Sequence, residues 1–225
     1  MDSNKTLPAL LSNEVIEKAK QLNSTTIADA LRNNGVMDYK IKSVTNNAKV
    51  VGTALTVSLH SGDNLFLHEA IHKAKQGYVL VVDGGGHVEN AYLGELMAFS
   101  ARAMGVEGII IDGLVRDKEI LKTLDLPIYA KGFIPSGPLK NGPGEINKPI
   151  SCGGVSVEPG DLIVGDEDGV VVVRKEEIDR VLTAAENKLT YEQERLKQIQ
   201  AFENSNDSSI SIKPSWLDEK IKSNS

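Results

Sequence analysis

Two short apolar runs constrain the fold of this 225-residue chain more than any other feature. The first opens the segment YVLVVDGGG at residues 78–86, and the second lies within VEGIIIDG at residues 106–113. Unbroken apolar runs rich in Val and Ile are typical of strands that are buried on both faces of a sheet. A helical pattern over residues 91–105 lies between them, and this order predicts a parallel α/β sheet. In such sheets, ligands bind at the carboxyl ends of the strands.

The remaining elements extend this pattern on both sides. Residues 12–22, with Ser12 as a cap, and residues 62–77, with Asp63 as a cap, are predicted helices. The segment over residues 135–149 is rich in turn residues, and it is either a lid or a loop that wraps the sheet. Further helices are predicted over residues 23–35, 116–124 and 175–202, and further strands over residues 49–60, 127–133, 150–157, 161–166 and 169–174.

Composition argues against several classes of protein. The net charge of -6 and the pI near 5.3 do not favour a nucleic-acid-binding protein, which needs clustered Lys and Arg. The amino-terminal segment lacks the basic start and apolar run of a signal peptide, and no stretch is long and apolar enough to span a membrane. The one cysteine, Cys152, can form neither an intrachain disulfide nor a CxxC zinc site. It is either a small residue in a turn or a nucleophile, and we expect a cytoplasmic protein.

Three consecutive glycines, Gly84–Gly86, follow the first apolar run and allow the backbone to approach a ligand or to make a tight turn. They do not form a dinucleotide-binding fingerprint, and the chain has no phosphate-binding loop of the G-x-x-x-x-G-K-[ST] type. His87 follows the glycines and could contact a ligand. His68 and His72 have the i, i+4 spacing of zinc ligands, but without an H-E-x-x-H motif we expect them at solvent or at a subunit contact.

A glycine and an acid stand near the start of the helix predicted between the two apolar runs. Gly94 precedes Glu95, Leu96 and Met97. Free backbone N–H groups at a helix N-terminus attract carboxylates and phosphates, so this segment is a candidate substrate-binding element. Glu95 is either a general acid or base, or a first-turn glutamate favoured by the helix dipole.

Arg116 and Asp117 follow the second apolar run. The planar guanidinium of Arg suits a carboxylate, and Asp is a hard oxygen ligand for Mg²⁺ or Mn²⁺. The pair is therefore either an anion-and-metal site or a surface ion pair, which would contribute less than about 1 kcal/mol of stability. Twenty residues separate Glu95 from Arg116, enough for one helix and one strand. We therefore expect both residues at the same edge of a parallel sheet.

This sequence pattern, an acid followed after twenty residues by Arg-Asp, resembles the active-site signature of the class II 4-hydroxy-4-methyl-2-oxoglutarate (HMG) aldolases. These aldolases belong to the RraA-like family. The resemblance covers residues 20–190, and it implies an α/β fold of the swivelling phosphohistidine-domain type, a β/β/α sandwich with a long C-terminal helix. The segments that resemble the family, in its order, are STTIADAL, SGDNLFLHEA, VLVVDGGG, GVEGIIIDGLVRD, GPGEINKPISCGGVSVEPGDLIVGDEDGVVVV and PSW.

The resemblance also implies how the chain is organised. Residues 1–190 would form a single RraA-like domain, and residues 191–225 a helical extension with a polar tail that packs on a neighbouring subunit. The family assembles as a homotrimer or as stacked trimers that form a homohexamer. Its site lies between subunits near the glycine loop, and the neighbouring subunit's C-terminal region supplies a further acid.

By the same resemblance, Arg116 binds the pyruvoyl carboxylate and supports the enolate, and Asp117 anchors Mg²⁺, Mn²⁺ or another divalent cation. The backbone N–H groups of Leu96 and Met97 hold the carboxylate, and Glu95 orients a water molecule for proton transfer. The aldolases usually have Asp where this chain has Glu95. The extra methylene moves the carboxylate by about an ångström, and a misplacement of that order can cost about 10²-fold in rate.

The expected activity is the divalent-metal-dependent cleavage of 4-hydroxy-2-oxo acids to pyruvate and a second 2-oxo acid, with associated oxaloacetate decarboxylase activity. The expected partner is thus a small 2-oxo acid, with no nucleic acid and no membrane. The chief rival hypothesis is a non-catalytic regulator of ribonuclease activity, the function of the family's founding members, which lack the complete acid and Arg-Asp set. A third hypothesis is a lyase or decarboxylase for a sugar-derived acid, and a fourth is a phosphotransfer domain that uses His87.

Overall fold

The structure is a computed structural model that describes residues 7–205 and 211–224. The chain divides into two compact units, one ending at Ala185 and the other beginning at Glu186. The predictions for the amino-terminal segment and the polar tail fall in part on residues 1–6, 206–210 and 225, which lie outside the described residues. No helix within the described ranges is long and apolar enough to cross a membrane.

The main sheet of the first unit is parallel at its centre and antiparallel at its edges. Its strands are β1 (Lys42–Ser43), β2 (Val50–Leu59), β3 (Tyr78–Asp83), β5 (Gly108–Ile111), β7 (Ile128–Ala130), β9 (Gly144–Ile146), β12 (Leu162–Asp166) and β13 (Gly169–Val173). The order is β1-β7-β5-β3-β2-β12-β13, with β9 paired to the end of β2. Strands β2, β3, β5 and β7 are parallel, as predicted. The other strands pair antiparallel, and the turn that joins β12 to β13 is too short for parallel pairing.

Both faces of the central strands are buried, which explains the unbroken apolar runs. Along β3, Tyr78, Leu80 and Val82 belong to one apolar cluster, and Val79 and Val81 belong to the other. Strand β5 alternates between the two clusters in the same way. Because successive side chains of a strand point to opposite faces, each run supplies the core on both sides of the sheet.

A second sheet of three short parallel strands was not predicted. It consists of β4 (Ala91–Leu93), β6 (Leu114–Val115) and β8 (Gly132–Phe133), in the order β4-β6-β8. The prediction of one helix over residues 91–105 was therefore wrong at its start, since Ala91 and Leu93 pair with β6 and helix α4 (Glu95–Ala103) begins only after Gly94. A strand of three residues is too short to show a recognisable periodicity.

The other predicted helices are present, four of them with shorter bounds and the last ending two residues later than predicted. They are α1 (Asn13–Lys20), α2 (Ser24–Ala30), α3 (Leu65–Lys73), α5 (Lys118–Thr123) and α6 (Ile178–Asn204), the last preceded by a 3₁₀ turn at Lys175–Glu177. Ser12 caps α1 as predicted, and its hydroxyl accepts the Val15 N–H at 3.3 Å. Asp63 precedes the N-cap of α3, which is Asn64, and the Asp63 carboxylate accepts the Leu65 N–H at 2.9 Å.

The remaining elements lie outside the main sheet and the small three-stranded sheet. Strands β10 (Ile150–Cys152) and β11 (Val155–Val157) form an antiparallel hairpin in the first unit. In the second unit, helix α7 (Leu217–Ser223) follows Trp216, whose indole N–H donates to the Tyr191 hydroxyl at 3.2 Å. Trp216 therefore anchors the tail within its own unit, and packing on a neighbouring subunit stays a prediction.

Candidate active site

A cleft of about 350 Å³ opens at the carboxyl ends of β4 and β6. Its lining includes all of the predicted site residues, Gly94, Glu95, Leu96, Met97, Arg116 and Asp117. The expected position at one edge of a parallel sheet is correct, but the sheet is the small one rather than the large one. The structure thus brings these residues together, and their catalytic roles stay predictions.

The acid-bearing helix and the Arg-Asp pair are joined directly. The Glu95 N–H, at the start of α4, donates to Asp117 Oδ2 at 2.8 Å. Gly94 makes this approach possible, because a Cβ atom at this position would lie 2.5 Å from Asp117 Oδ2 and 2.9 Å from Arg116 Nε. The hydrogen bond holds the Asp117 carboxylate across the end of β4.

The backbone around Arg116 fixes the pair at the end of β6. The Arg116 N–H donates to the Leu93 carbonyl at 2.9 Å, which continues the pairing of the two strands. Asp117 then adopts a left-handed conformation with φ 64° and ψ 45°, and its carbonyl accepts N–H groups from the first turn of α5. Arg116 Nε lies 3.6 Å from Asp117 Oδ2, and the two side chains are 45% and 37% exposed. A pair this exposed contributes little to stability.

The first turn of α4 offers hydrogen-bond donors to the cleft. Among the described residues, the N–H groups of Leu96 and Met97 have no acceptor, whereas the Ala98 N–H donates to the Gly94 carbonyl. Helix N-termini with free N–H groups attract anions. This geometry fits the role predicted for Leu96 and Met97, namely the binding of a carboxylate.

Residues 136–142, here called the wall loop, form one side of the cleft. At one end of the loop, the Asn90 side-chain amide donates to the Gly137 carbonyl at 2.6 Å, and the Ala91 N–H donates to the Ser136 carbonyl at 2.9 Å. At the other end, the Leu139 N–H donates to the Gly62 carbonyl at 2.8 Å. The segment predicted to be a lid or a wrap is therefore tied down at both ends and acts as a fixed wall.

Asp63 ties the wall loop to the start of α3. This residue is 2% exposed, and its carboxylate accepts N–H groups from Asn141 and, at 3.0 Å, from Gly142, besides that of Leu65. Burial raises the pKa of Asp63, but hydrogen bonds from the N–H groups of Asn141, Leu65 and Gly142 outweigh this and hold the pKa below its usual value. The carboxylate is thus ionised at neutral pH.

Two residues of the cleft, His68 on α3 and Lys140 on the wall loop, were not predicted to belong to a site. Burial lowers the pKa of His68, and the positive charges of Lys140 and His72 lower it further, so that the imidazole is neutral at pH 7. No local pattern identifies Lys140, because the wall loop is held by contacts between residues such as Asp63 and Asn141, which are 78 positions apart.

The residues of the glycine loop do not line the cleft, but the Gly84 carbonyl accepts the hydroxyl of Tyr92, which does, at 2.8 Å. Gly85 and Gly86 have φ angles of 63° and 68°, and the Gly86 N–H donates to the Asp112 carbonyl at 3.0 Å. His87 Nε2 lies 3.0 Å from the Asn90 side-chain oxygen, and His87 is absent from the residues that line the cleft. These glycines therefore serve a tight turn. Cys152 is buried in β10, and burial raises the pKa of its thiol, which does not favour a nucleophile.

The donor set of the cleft fits Mg²⁺ better than a metal with an all-protein cage. Within residues 7–205 and 211–224, no group of three or more His, Cys, Asp or Glu side chains could hold a metal ion. Mg²⁺ is usually held by one or two carboxylates, with waters and substrate oxygens as its other ligands. Asp117 meets this requirement, because Oδ1 accepts no hydrogen bond from the described residues while Oδ2 is fixed by Glu95.

Comparison with known proteins shows the family to which the chain belongs. The sequence model of the RraA-like family, described as Aldolase/RraA, matches residues 24–172. The chain belongs to the RraA-like family. A protein of Halalkalibacterium halodurans, provisionally named 4-hydroxy-4-methyl-2-oxoglutarate aldolase, is 39% identical over 186 residues, which are 83% of this chain and 89% of that protein. The resemblance inferred from the sequence is thereby confirmed.

Solved structures confirm the RraA-like α/β fold. The RNA-processing inhibitor RraA from Thermus thermophilus superposes with a TM-score of 0.63 at 30% identity, covering 67% of this chain and 92% of that one. RraAS2 of Streptomyces coelicolor, described as an unusual member of the RNase ES inhibitor RraA family, superposes with a TM-score of 0.74. That match covers 83% of this chain and 98% of RraAS2, and its 24% identity supports the fold alone.

The contact at Gly94 can be tested by adding one methyl group. We expect Gly94→Ala to displace the Asp117 carboxylate by roughly 1 Å, the difference between 2.5 Å and an ordinary contact, in a crystal structure of the variant. The φ of -137° at Gly94 suits alanine, so the effect is steric and local. Arg102→Ala, which alters an exposed residue of the same helix outside the cleft lining, is the control and should leave the cleft unchanged. An unmoved Asp117 in the Gly94 variant would contradict the assignment.

The role of Asp63 predicts a pH-dependent loss of stability. We expect Asp63→Asn to lower the free energy of unfolding by about 1–3 kcal/mol at pH 7 in urea titrations, and to speed amide exchange at Asn141 and Gly142. Because the pKa of folded Asp63 is below the unfolded value of 3.8, this contribution is present at neutral pH and is lost as the pH falls below that value. The difference in the free energy of unfolding between variant and parent should therefore become smaller at acidic pH. Asp38→Asn, which alters a local acceptor of the Lys40 N–H, is the control.

Proposed function

We propose that this protein is a divalent-metal-dependent class II aldolase that cleaves 4-hydroxy-2-oxo acids of the HMG type to pyruvate and a second 2-oxo acid. The observation that carries the proposal is the convergence of Glu95, Arg116 and Asp117 on one cleft, with the Asp117 carboxylate held by the Glu95 N–H. The proposal includes oxaloacetate decarboxylase activity, because the loss of CO₂ from oxaloacetate leaves the same pyruvate enolate.

Different residues of the cleft bind the substrate carboxylate, the cation and a water molecule. The Arg116 guanidinium and the free N–H groups of Leu96 and Met97 bind the carboxylate of the pyruvoyl half. Asp117 holds the divalent cation, which when bound polarises the keto oxygen as a Lewis acid. Glu95 lies in the same cleft, where its carboxylate orients a water molecule towards the C4 hydroxyl.

Cleavage then follows as a redox-neutral retro-aldol reaction. Glu95, through the water, accepts the proton of the C4 hydroxyl, and the C4 oxygen becomes the carbonyl of the departing 2-oxo acid. The C3–C4 bond breaks, and its electron pair remains on the pyruvoyl half as the pyruvate enolate. Arg116 stabilises the negative charge of the enolate, and the proton held by Glu95 returns to C3 to give pyruvate. No Schiff-base lysine takes part.

A homotrimer or homohexamer belongs to the same proposal. The cleft is open, with Leu96 82% exposed, and the described residues of one chain supply few ligands for a cation. A neighbouring subunit that covers this face and adds an acid, as the family resemblance implies, would exclude water from the reacting groups. Exclusion of water strengthens the electrostatic interactions on which the mechanism depends.

A non-catalytic regulator is the second candidate, because the RraA structure that is 30% identical carries the name of an RNA-processing inhibitor. The two functions make opposite predictions for turnover. An inhibitor should bind its nuclease and release no pyruvate from any 2-oxo acid, whether or not Mg²⁺ is present. An aldolase should release pyruvate with Mg²⁺, and EDTA should abolish the release.

Substitution of the Arg-Asp pair tests the site. We expect Arg116→Ala and Asp117→Ala each to reduce Mg²⁺-dependent pyruvate release by at least about 10²-fold, since each removes a charge placed for the enolate or its cation. Both side chains are more than one-third exposed, so the variants should keep the parent's circular dichroism and melting temperature. Arg102→Ala and Asp125→Ala, which alter exposed residues outside the cleft, are the matched controls. Full activity in both site variants would refute the assignment.

Glu95 is tested by comparing two reactions in one variant. Glu95→Gln keeps the shape of the side chain but removes its basicity, and we expect the cleavage rate of a 4-hydroxy-2-oxo acid to fall by about 10²-fold or more. Oxaloacetate decarboxylation needs no proton removed from a C4 hydroxyl, so it should fall much less. Glu95→Asp, which retains the carboxylate, should keep more cleavage activity than Glu95→Gln. Equal losses in both reactions would assign Glu95 to binding rather than to proton transfer.

A further inference from the structure

Two adjacent cavities, here called the paired cavities, take no part in the proposed reaction. Each has a volume of about 250 Å³, and they share Leu31, Asn34 and Glu177 as lining residues. Neither lining contains a residue of the cleft. The paired cavities are therefore a candidate for a second binding site.

The charge of the paired cavities is positive, although the chain as a whole is acidic. Arg174 lines one cavity, and Arg32 and Arg180 line the other. Glu177 lines both as the one acidic residue among the described residues of the two linings, and it is paired with Arg180 at 2.5 Å. Arg32 and Arg174 have no ion-pair or hydrogen-bond partner within the described ranges. Two guanidinium charges thus stay unpaired in a chain with a net charge of -6, and such a local basic site attracts anions.

Uncharged donors accompany these arginines. Asn34 and Ser156 line the paired cavities, and their side chains form no hydrogen bond with the part of the chain that the structure describes. Gly35 and Gly154 line the same cavity as Ser156, and their N–H groups donate to no acceptor within residues 7–205 and 211–224. Guanidinium groups and backbone N–H groups are typical donors to phosphate in proteins. A tetrahedral oxyanion has more acceptor oxygens than a planar carboxylate, so it suits this donor set better.

Hydrogen bonds hold the turn that carries Arg32 in a strained conformation. Arg32 and Asn33 have left-handed φ angles of 55° and 64°, which cost roughly 1 kcal/mol each in residues other than glycine. The Asn33 N–H donates to the Ala28 carbonyl at 2.8 Å, and the Gly35 carbonyl accepts the Val172 N–H at 2.9 Å. A Cβ atom at Gly35 would clash with the Val172 carbonyl, so the turn packs directly on β13. Strain that the surrounding structure maintains in this way is common at ligand sites.

The opposite wall of the cavity is held equally firmly. The Gly153 N–H donates to the buried Asp112 carboxylate at 2.9 Å, and the Gly153 carbonyl accepts the Asp38 N–H at 2.8 Å. These contacts fix the hairpin turn between β10 and β11, which carries Gly154. Because both walls are ordered before a ligand arrives, binding costs little conformational entropy.

We propose that the paired cavities bind a phosphate-type oxyanion, either free or as the phosphoryl group of a small metabolite, with Arg32 and Arg174 as its cationic contacts. Asn34 lines both cavities, so an anion beside it lies between the cavity of Arg174 and that of Arg32. The charge of Arg180 offsets that of Glu177, the carboxylate that would otherwise repel the anion. The inference goes beyond the proposed aldolase function and does not depend on it.

Calorimetric titration of the full-length protein with inorganic phosphate tests the site. We expect Arg32→Gln and Arg174→Gln each to weaken phosphate binding about tenfold, since each removes a charge-assisted hydrogen bond. The double variant should bind no phosphate. Both arginines are exposed, so the variants should keep the parent's melting temperature. Arg102→Gln, which alters an exposed arginine outside both linings, is the matched control and should bind phosphate as the parent does.

Three ligands define the chemistry of the site. Inorganic phosphate, glycerol 3-phosphate and acetate are titrated separately. Tighter binding of glycerol 3-phosphate identifies an organic phosphate as the ligand, and tighter binding of inorganic phosphate identifies the free ion; both results support the site. Acetate should bind at least about tenfold more weakly, because it offers fewer oxygens to the donors. Acetate that binds as tightly as phosphate would overturn the assignment of a phosphate-type ligand.

The cleft also offers donors to an oxyanion, so the two sites must be separated. Arg116→Ala should leave phosphate binding unchanged, and a crystal structure of the phosphate complex should place the anion beside Arg32 and Arg174. Phosphate binding that survives in the double variant but is lost in Arg116→Ala would assign the anion to the cleft and overturn the inference. A parent protein that binds no phosphate compound overturns it as well. Neither result bears on pyruvate release, so the aldolase proposal is tested separately.

Discussion

The hydrogen bond from the Glu95 N–H to the Asp117 carboxylate is the contact on which the cleft depends. It joins the first turn of α4 to the end of β6 at 2.8 Å, and it exists because Gly94 leaves no side chain between them. One oxygen of the carboxylate is thereby fixed, and the other accepts nothing from the described residues. The same contact sets the position of Arg116, whose backbone is paired with Leu93. Glu95, the Asp117 carboxylate and the Arg116 guanidinium are therefore brought together by backbone geometry.

The strands of the small sheet have the same order as the strands of the main sheet that precede them in the chain. Each of its strands directly follows a parallel strand of the main sheet. Residues 84–90 connect β3 to β4, Asp112 and Gly113 connect β5 to β6, and Lys131 alone connects β7 to β8. Backbone hydrogen bonds keep the neighbours aligned across these breaks, for example from the Lys131 N–H to the Gly113 carbonyl at 2.8 Å. Gly113 is required at its break, because a Cβ atom there would lie 2.5 Å from the Tyr92 ring. The buried core thus determines where the short strands lie, and with them the site residues that follow β4 and β6.

This arrangement explains what could be predicted from the sequence. The apolar runs of β3 and β5 identify the parallel centre, and the spacing of Glu95 and Arg116 places them at a common edge because the small sheet copies the order of the large one. The break at Asp112 and Gly113 was missed, since two- and three-residue strands have no detectable period. Lys140 and His68 were missed for a different reason. Their place in the cleft depends on Asp63 binding a loop 78 residues away, which one sequence does not reveal.

The Arg-Asp pair is poorly explained as a stabilising element. Asp117 has the left-handed φ of 64°, which costs roughly 1 kcal/mol in a residue other than glycine. Its ion pair with Arg116 spans 3.6 Å between side chains that are 45% and 37% exposed. Solvent therefore screens most of the attraction, and the pair adds little stability. Both residues nevertheless line the same cleft, which a role in stability does not require. The electrostatic interactions of these charges are weak in water, and they become strong once a ligand displaces the water. Under the proposed function, an anionic ligand bound in the cleft supplies the dry environment that these charges need.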